Sequence, residues 1–243
     1  MTAPLLDIAP RTDIAAQRAA FARDGRLQLR DVLTPESAQM LLHILGRETP
    51  WGLAWQAGGT GARHLRRDAL ATMPADDHRA ISQQVGRAMA GEDYAFAYSC
   101  YPLVDAYKQR WAPDGPHDML LEYLNDTAML DLVRSVTGLD GIVKADAQAT
   151  LYAPGQFLAM HNDLDPAGGR LVAYVLSLCP PGWRADWGGY LQFYDDDGDV
   201  VAGYRPRFNA LNLFAVPMPH NVTQVASWAP VGRFSITGWF RDR

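Results

Sequence analysis

Apolar positions change their period near Gly141. Before it they recur mainly three and four residues apart, as in amphipathic helices; after it they alternate or run in short blocks bounded by Gly and Pro, as in strands. Ile14 to Asp24 is Ala-rich and predicts a helix with Gly25 just past its end. Thr34-Pro35-Glu36 predicts the start of another, with Thr34 as N-cap and Pro35 in the first turn. Ala38, Leu41, Leu42 and Leu45 line its inner face. Pro74 to Ala90 predicts a third, with Ile81, Val85 and Met89 on one face, and His117 to Val136 a fourth, closing near Gly138.

Between the helices, Gly25 to Leu33 alternates as a strand. Trp51 to Ala71 reads as a loop, with the flexible run Gly58 to Gly61 and a basic patch of Arg63, Arg66 and Arg67 that is either solvated or substrate-facing. Tyr94, Phe96 and Tyr98 give a strand one aromatic face, which suits a core or the wall of a substrate channel. The candidate strands beyond Gly141 are Ile142–Tyr152, Phe157–His161, Arg170–Leu178, Tyr190–Tyr194, Val200–Tyr204, Ala210–Val216, Asn221–Ser227 and Arg233–Phe240. Short strands at this spacing predict a sandwich, barrel or jelly roll. No linker-like stretch divides the parts, so the expectation is an α+β fold in one domain, 1–243. Residues 1–140 form a helix-rich buttress with substrate-side segments, and 141–243 the β core.

Composition adds exclusions. In 243 residues, 48% hydrophobic and 20% charged with a net charge of −5, nothing suggests a basic nucleic-acid footprint. No run approaches the length of a membrane span, and Met1 to Asp7 lacks a basic, then apolar, leader. Cys100 and Cys179 read as two free thiols of a cytoplasmic protein. The oligomeric state is left open.

The candidate chemistry centres on His161-Asn-Asp163. A histidine and a carboxylate two apart share one face of a strand, and a second histidine, His220 in Pro219-His220-Asn221, completes a two-histidine, one-carboxylate set. That set with open positions is the one non-haem Fe(II) oxygenases use, although zinc accepts the same ligands.

Several phrases surround these residues: Tyr152-Ala-Pro-Gly155; Arg170 to Leu176; Trp187 to Tyr194; Phe208 to Phe214; and Arg233-Phe-Ser-Ile-Thr-Gly-Trp-Phe240. Phe21 to Gly25 and Leu33 to Glu36 precede them. In order, spacing and residue type this sequence resembles the 2-oxoglutarate/Fe(II)-dependent dioxygenases of the prolyl 4-hydroxylase type over its C-terminal half. The resemblance implies a double-stranded β-helix core, a cupin-like jelly roll, with His161, Asp163 and His220 as iron ligands. It places Arg233 on the distal carboxylate of 2-oxoglutarate and Tyr152 on a hydroxyl that reaches it. The planar guanidinium fork of Arg233 suits a carboxylate, and Ser235 and Thr237 share its face of the strand as further donors. One departure stands out: animal prolyl hydroxylases carry a tyrosine pair where this chain has Leu176-Ser177.

The reaction so implied hydroxylates an unactivated C–H bond of a peptidyl or protein side chain, prolyl-type. It consumes 2-oxoglutarate and O2, releases succinate and CO2, and brings in ascorbate as a candidate reductant; no general base is assigned beyond the ligands. Two alternatives stay open at this level: oxygenation of a small molecule such as a free amino acid or natural product, and a non-catalytic cupin-type binding module.

Overall fold

Among the described residues the α-helices all precede Gly141, with four strands between them, and the remaining strands follow it. In the computed structural model, which describes residues 5–91 and 93–243, the chain runs α1 (Ile14–Asp24), β1 (Arg26–Arg30), α2 (Pro35–His43), β2 (Gly52–Ala57), β3 (Arg63–Leu65), α3 (Arg67–Ala71), α4 (Ala75–Ala90), β4 (Ala95–Tyr101), α5 (Leu103–Lys108), α6 (Pro116–Leu124) and α7 (Thr127–Thr137). There follow β5 (Lys144–Ala145), β6 (Gln148–Tyr152), β7 (Phe157–His161), β8 (Arg170–Ser177), β9 (Leu191–Tyr194), β10 (Val200–Tyr204), β11 (Ala210–Ala215), β12 (His220–Val222) and β13 (Arg233–Arg241). The first four residues, part of the stretch read above for a leader, lie outside the described residues.

Every strand pair is antiparallel, in the order β1-β11-β8-β13-β6-β4-β7-β12-β9-β10. The first six form the larger layer of a double-stranded β-helix and the last four the smaller, joined where Phe96 and Ala97 of β4 pair with Leu158 and Phe157 of β7. β8 shows why a central strand reads as one apolar block. Val172, Tyr174 and Leu176 join the helix-side core with Leu41, Leu45, Leu120 and Val133, while Ala173 and Val175 face the other layer and pack with Phe193 and Phe214. The α+β expectation, helices buttressing a jelly roll, holds.

Four local expectations change. Trp51–Ala71 is not a loop: β2 pairs with β3 and with β4 along Gly52–Ala57, so Gly58–Gly61 is the turn of a hairpin that extends the sheet. The helix expected over His117–Val136 is two, because Asn125 bonds Leu121 and Ala145 with its side chain and Asp126 caps the Thr127 N–H at 2.7 Å; short polar side chains compete with the helix in this way. Ile142–Tyr152 breaks at Asp146-Ala147 into β5 and β6. On α4, Ala88 is buried and Met89 exposed, since steps of four drift around a helix of period 3.6 whereas a step of seven returns to the same face.

The break before β6 leaves a tight crossing. A Cβ on Gly238 would lie 2.1 Å from the Asp146 carbonyl oxygen, which is fixed by the Tyr174 hydroxyl donating to it at 2.8 Å. Gly238→Ala is therefore expected to cost about 1–3 kcal/mol by overpacking. In a chain of this size that lowers Tm by about 2–4 °C per kcal/mol. An unchanged melting curve would show that the crossing yields freely.

Candidate metal centre and its cavity

The register of β7 and β12 places His220 directly opposite His161, and directly opposed residues project from the same face of the sheet. His220 thus opens a strand rather than following one, a correction to the expected Asn221–Ser227. Asp163 lies two residues past His161 in the left-handed region, φ 61°, a conformation Asp tolerates better than most residues. This turn carries its carboxylate back to both rings: Oδ1 is 3.3 Å from His161 Nε2 and Oδ2 is 3.5 Å from His220 Nε2. One ligand atom from each of the three lies within 4.8 Å of the others.

The second contacts of the histidines settle which nitrogen is free. His161 Nδ1 donates to the Ala159 carbonyl at 2.9 Å and His220 Nδ1 to the Met218 carbonyl at 2.7 Å. Both Nε2 lone pairs therefore point toward Asp163, the arrangement that orients imidazoles for a metal. Burial, helped by the neighbouring His161, pushes the His220 imidazole down to about 4, so it stays neutral. Burial also draws the Asp163 carboxyl upward, but its close contacts with the two imidazoles outweigh it, and the net shift is downward. Two imidazoles with free Nε2 atoms and one carboxylate fit a divalent ion such as Fe(II).

The three groups line a cavity of about 480 Å³ between the two sheet layers, with Arg233, Tyr152 and Thr237 at its other side. Arg233 is 2% exposed, yet its Nε and Nη1 have no hydrogen-bond partner. A buried guanidinium with idle donors is costly unless an anion completes it, so this cavity fits a carboxylate ligand. Tyr152 lies against Arg233, 5.2 Å from guanidinium carbon to ring centroid, and Tyr98 packs on Tyr152. Burial raises both hydroxyls, which stay protonated as donors. Ser235 shares the inner face of β13, but its hydroxyl pairs with Thr150 Oγ1 at 2.8 Å.

The aromatic face of β4 lines this cavity, as the channel reading expects: Tyr94, Phe96 and Tyr98 are in its wall. The β2–β3 hairpin contributes Gln56 and Ala62, while the basic patch lies elsewhere, Arg66 stacking 3.9 Å from the Trp111 ring centroid. Gln148 and Arg170 also line the cavity and carry no mark in the sequence reading. Gln148 was accessible to it, since it lies four residues before Tyr152 on the same strand face. Arg170 has no local signal; it stacks on Trp239 at 3.7 Å and donates to the Asp163 carbonyl at 3.2 Å, steadying the turn that holds the carboxylate. At the back, Gly188 (φ 65°) allows a backbone approach that a Cβ would block, 2.1 Å from the Gln224 carbonyl.

Residues 147–241 match the model of the 2OG-Fe(II) oxygenase superfamily. Over 148 residues the chain is 32% identical to the prolyl 3-hydroxylase OGFOD1 of Mus musculus, a match covering 56% of this chain and 26% of that protein. The chain thus spans about a quarter of the length of that curated relative. A prolyl-4-hydroxylase of Pseudomonas putida superposes with TM-score 0.59 at 22% identity, over 95% of this chain and 100% of that one. A prolyl hydroxylase of Trichoplax adhaerens, solved with a hypoxia inducible factor peptide fragment, gives TM-score 0.59 at 17% identity, over 94% and 89%. At these identities the two structures attest the fold. Among the described residues no helix is long and apolar enough to cross a membrane.

Proposed function

We propose that this chain, whose residues 147–241 match the model of the 2OG-Fe(II) oxygenase superfamily, hydroxylates an unactivated C–H bond of a peptidyl or protein side chain, prolyl in type. The observation that carries the reading is the pairing, within one cavity, of the His161, Asp163 and His220 donor set with the unpartnered guanidinium of Arg233. The Nε2 atoms of the histidines and a carboxylate oxygen of Asp163 would hold Fe(II). Arg233, with Thr237 and Tyr152 beside it, would hold the far carboxylate of 2-oxoglutarate. Bound there, the iron and the 2-oxoglutarate supply the oxidising chemistry, with succinate and CO2 as co-products.

The chain's own work is orientation and exclusion. Arg170 and the Nδ1 contacts fix the three ligands, Arg233 fixes the register of the co-substrate, and Phe96, Leu158 and Val222 keep the wall apolar. A prolyl substrate fits the mouse, Pseudomonas and Trichoplax relatives, each described as a prolyl hydroxylase. Ascorbate would serve as reductant, and a reducing cytoplasm suits two buried free thiols, Cys100 and Cys179.

The test is incubation of the chain with Fe(II), 2-oxoglutarate and a panel of proline-containing peptides, read by mass spectrometry and succinate release. The expected result is one added oxygen on a prolyl residue in proportion to succinate. Oxidation confined to free amino acids or other small molecules would overturn the peptidyl assignment. Succinate release unaffected by His220→Ala would overturn the site itself.

A further inference from the structure

A second cavity, of about 380 Å³, opens where β1 ends, β8 leaves the sheet and β11 begins; its walls are Arg30, Asp31, Pro180 to Trp183 and Arg205 to Phe208. Three arginines thus line one cleft. Among the described residues none of the three forms an ion pair, nor does Asp31, the one carboxylate in the wall. Arg205 Nε is buried without a partner. Burial, and then the charges of Arg30 and Arg205, hold the Arg207 guanidinium below its ordinary proton affinity, so the three groups feel one another.

The cluster is built rather than merely crowded. Arg207 Nε donates to Gln28 Oε1 at 3.0 Å, Gln28 Nε2 to Asn212 Oδ1 at 2.8 Å, and Asn212 Nδ2 to the Val175 carbonyl at 3.0 Å, a ladder anchored in the central sheet. The Arg207 backbone is clamped on both sides by Ser177, whose Oγ accepts from the amide at 3.2 Å and donates to the carbonyl at 2.6 Å. Holding like charges together in a partly desolvated cleft is unfavourable unless an anion occupies it. Planar guanidinium forks match tetrahedral oxyanions in particular.

We propose that this cleft binds a phosphate-like oxyanion, either free phosphate or the phosphoryl group of a small organic ester. This assignment is independent of the oxygenase reading. The test is calorimetric titration of the full chain with inorganic phosphate and, separately, AMP, at fixed ionic strength. Saturable binding is expected for at least one, weakened at least about tenfold in the Arg205→Gln/Arg207→Gln pair, as the loss of charge-assisted hydrogen bonds implies. Tighter AMP binding would identify the ester as the ligand, equal binding the free ion. Should the double variant not fold, Arg30→Gln, which alters an exposed side chain, is expected to weaken binding alone. No saturation by either probe at millimolar concentration would overturn the proposal. So would binding that Arg233→Gln abolishes and the Arg205/Arg207 pair leaves intact, because the anion would then sit in the other cavity.

Discussion

Replacing Asp163 by Asn is expected to lower both Fe(II) affinity and succinate production by more than about 100-fold, beyond the 10–100-fold typical of losing an outer partner of a metal ligand. Asp163 is the only anion in the donor set, and its two oxygens are divided between the two imidazole Nε2 atoms at 3.3 and 3.5 Å. Asn preserves the shape of the side chain and tolerates the φ of 61° found there, so the loss reports the charge rather than the backbone. Asp163→Ala would confound the two, since Ala is strained at positive φ. Iron content after dialysis and single-turnover succinate yield measure the effect, and iron binding equal to that of the unaltered chain would place the metal elsewhere. His220→Ala offers a companion reading on a residue with ordinary backbone geometry.

The same residues show how far a sequence reaches. β7 and β10 occupy the expected spans, because each is a short, largely apolar run bounded by turn residues. The β2–β3 hairpin was not legible. Its apolar positions, Leu53, Trp55 and Leu65, straddle a glycine turn and a run of arginines, and its stability comes from pairing with β4, some forty residues on. In the cavity, the spacing of His161 and Asp163 follows from the period of a strand. That His220 arrives opposite His161 depends on the register of β12 against β7, which no local pattern encodes. Arg170 illustrates the limit: it reads as the polar start of an apolar strand, and only the folded turn at Asp163 gives it a task.

Arg233→Met should have effects of opposite kind on the empty and the liganded protein, and that contrast separates a binding residue from a structural one. In the empty protein the guanidinium is buried, two of its nitrogens have no partner, and burial lowers its proton affinity even though Tyr152 and Cys179 act the other way. Met fills a similar volume without a charge to desolvate, so the melting temperature of the empty protein is expected to hold or rise. With 2-oxoglutarate the sign reverses, because its far carboxylate would lose its ion-pair partner in a buried site. The expected loss is about 3–5 kcal/mol, or roughly two to four orders of magnitude in Kd. The rise in Tm that 2-oxoglutarate gives the unaltered chain should then disappear. Arg233→Lys keeps the charge but not the planar fork and should fall between the two. Thermal melts of the three proteins with and without 2-oxoglutarate decide the matter. If Met destabilises the empty protein by several degrees while leaving the ligand-induced rise intact, Arg233 serves the core and the co-substrate is held by other residues. If the empty protein holds and the rise is lost, its idle donors are what the cavity offers to a carboxylate.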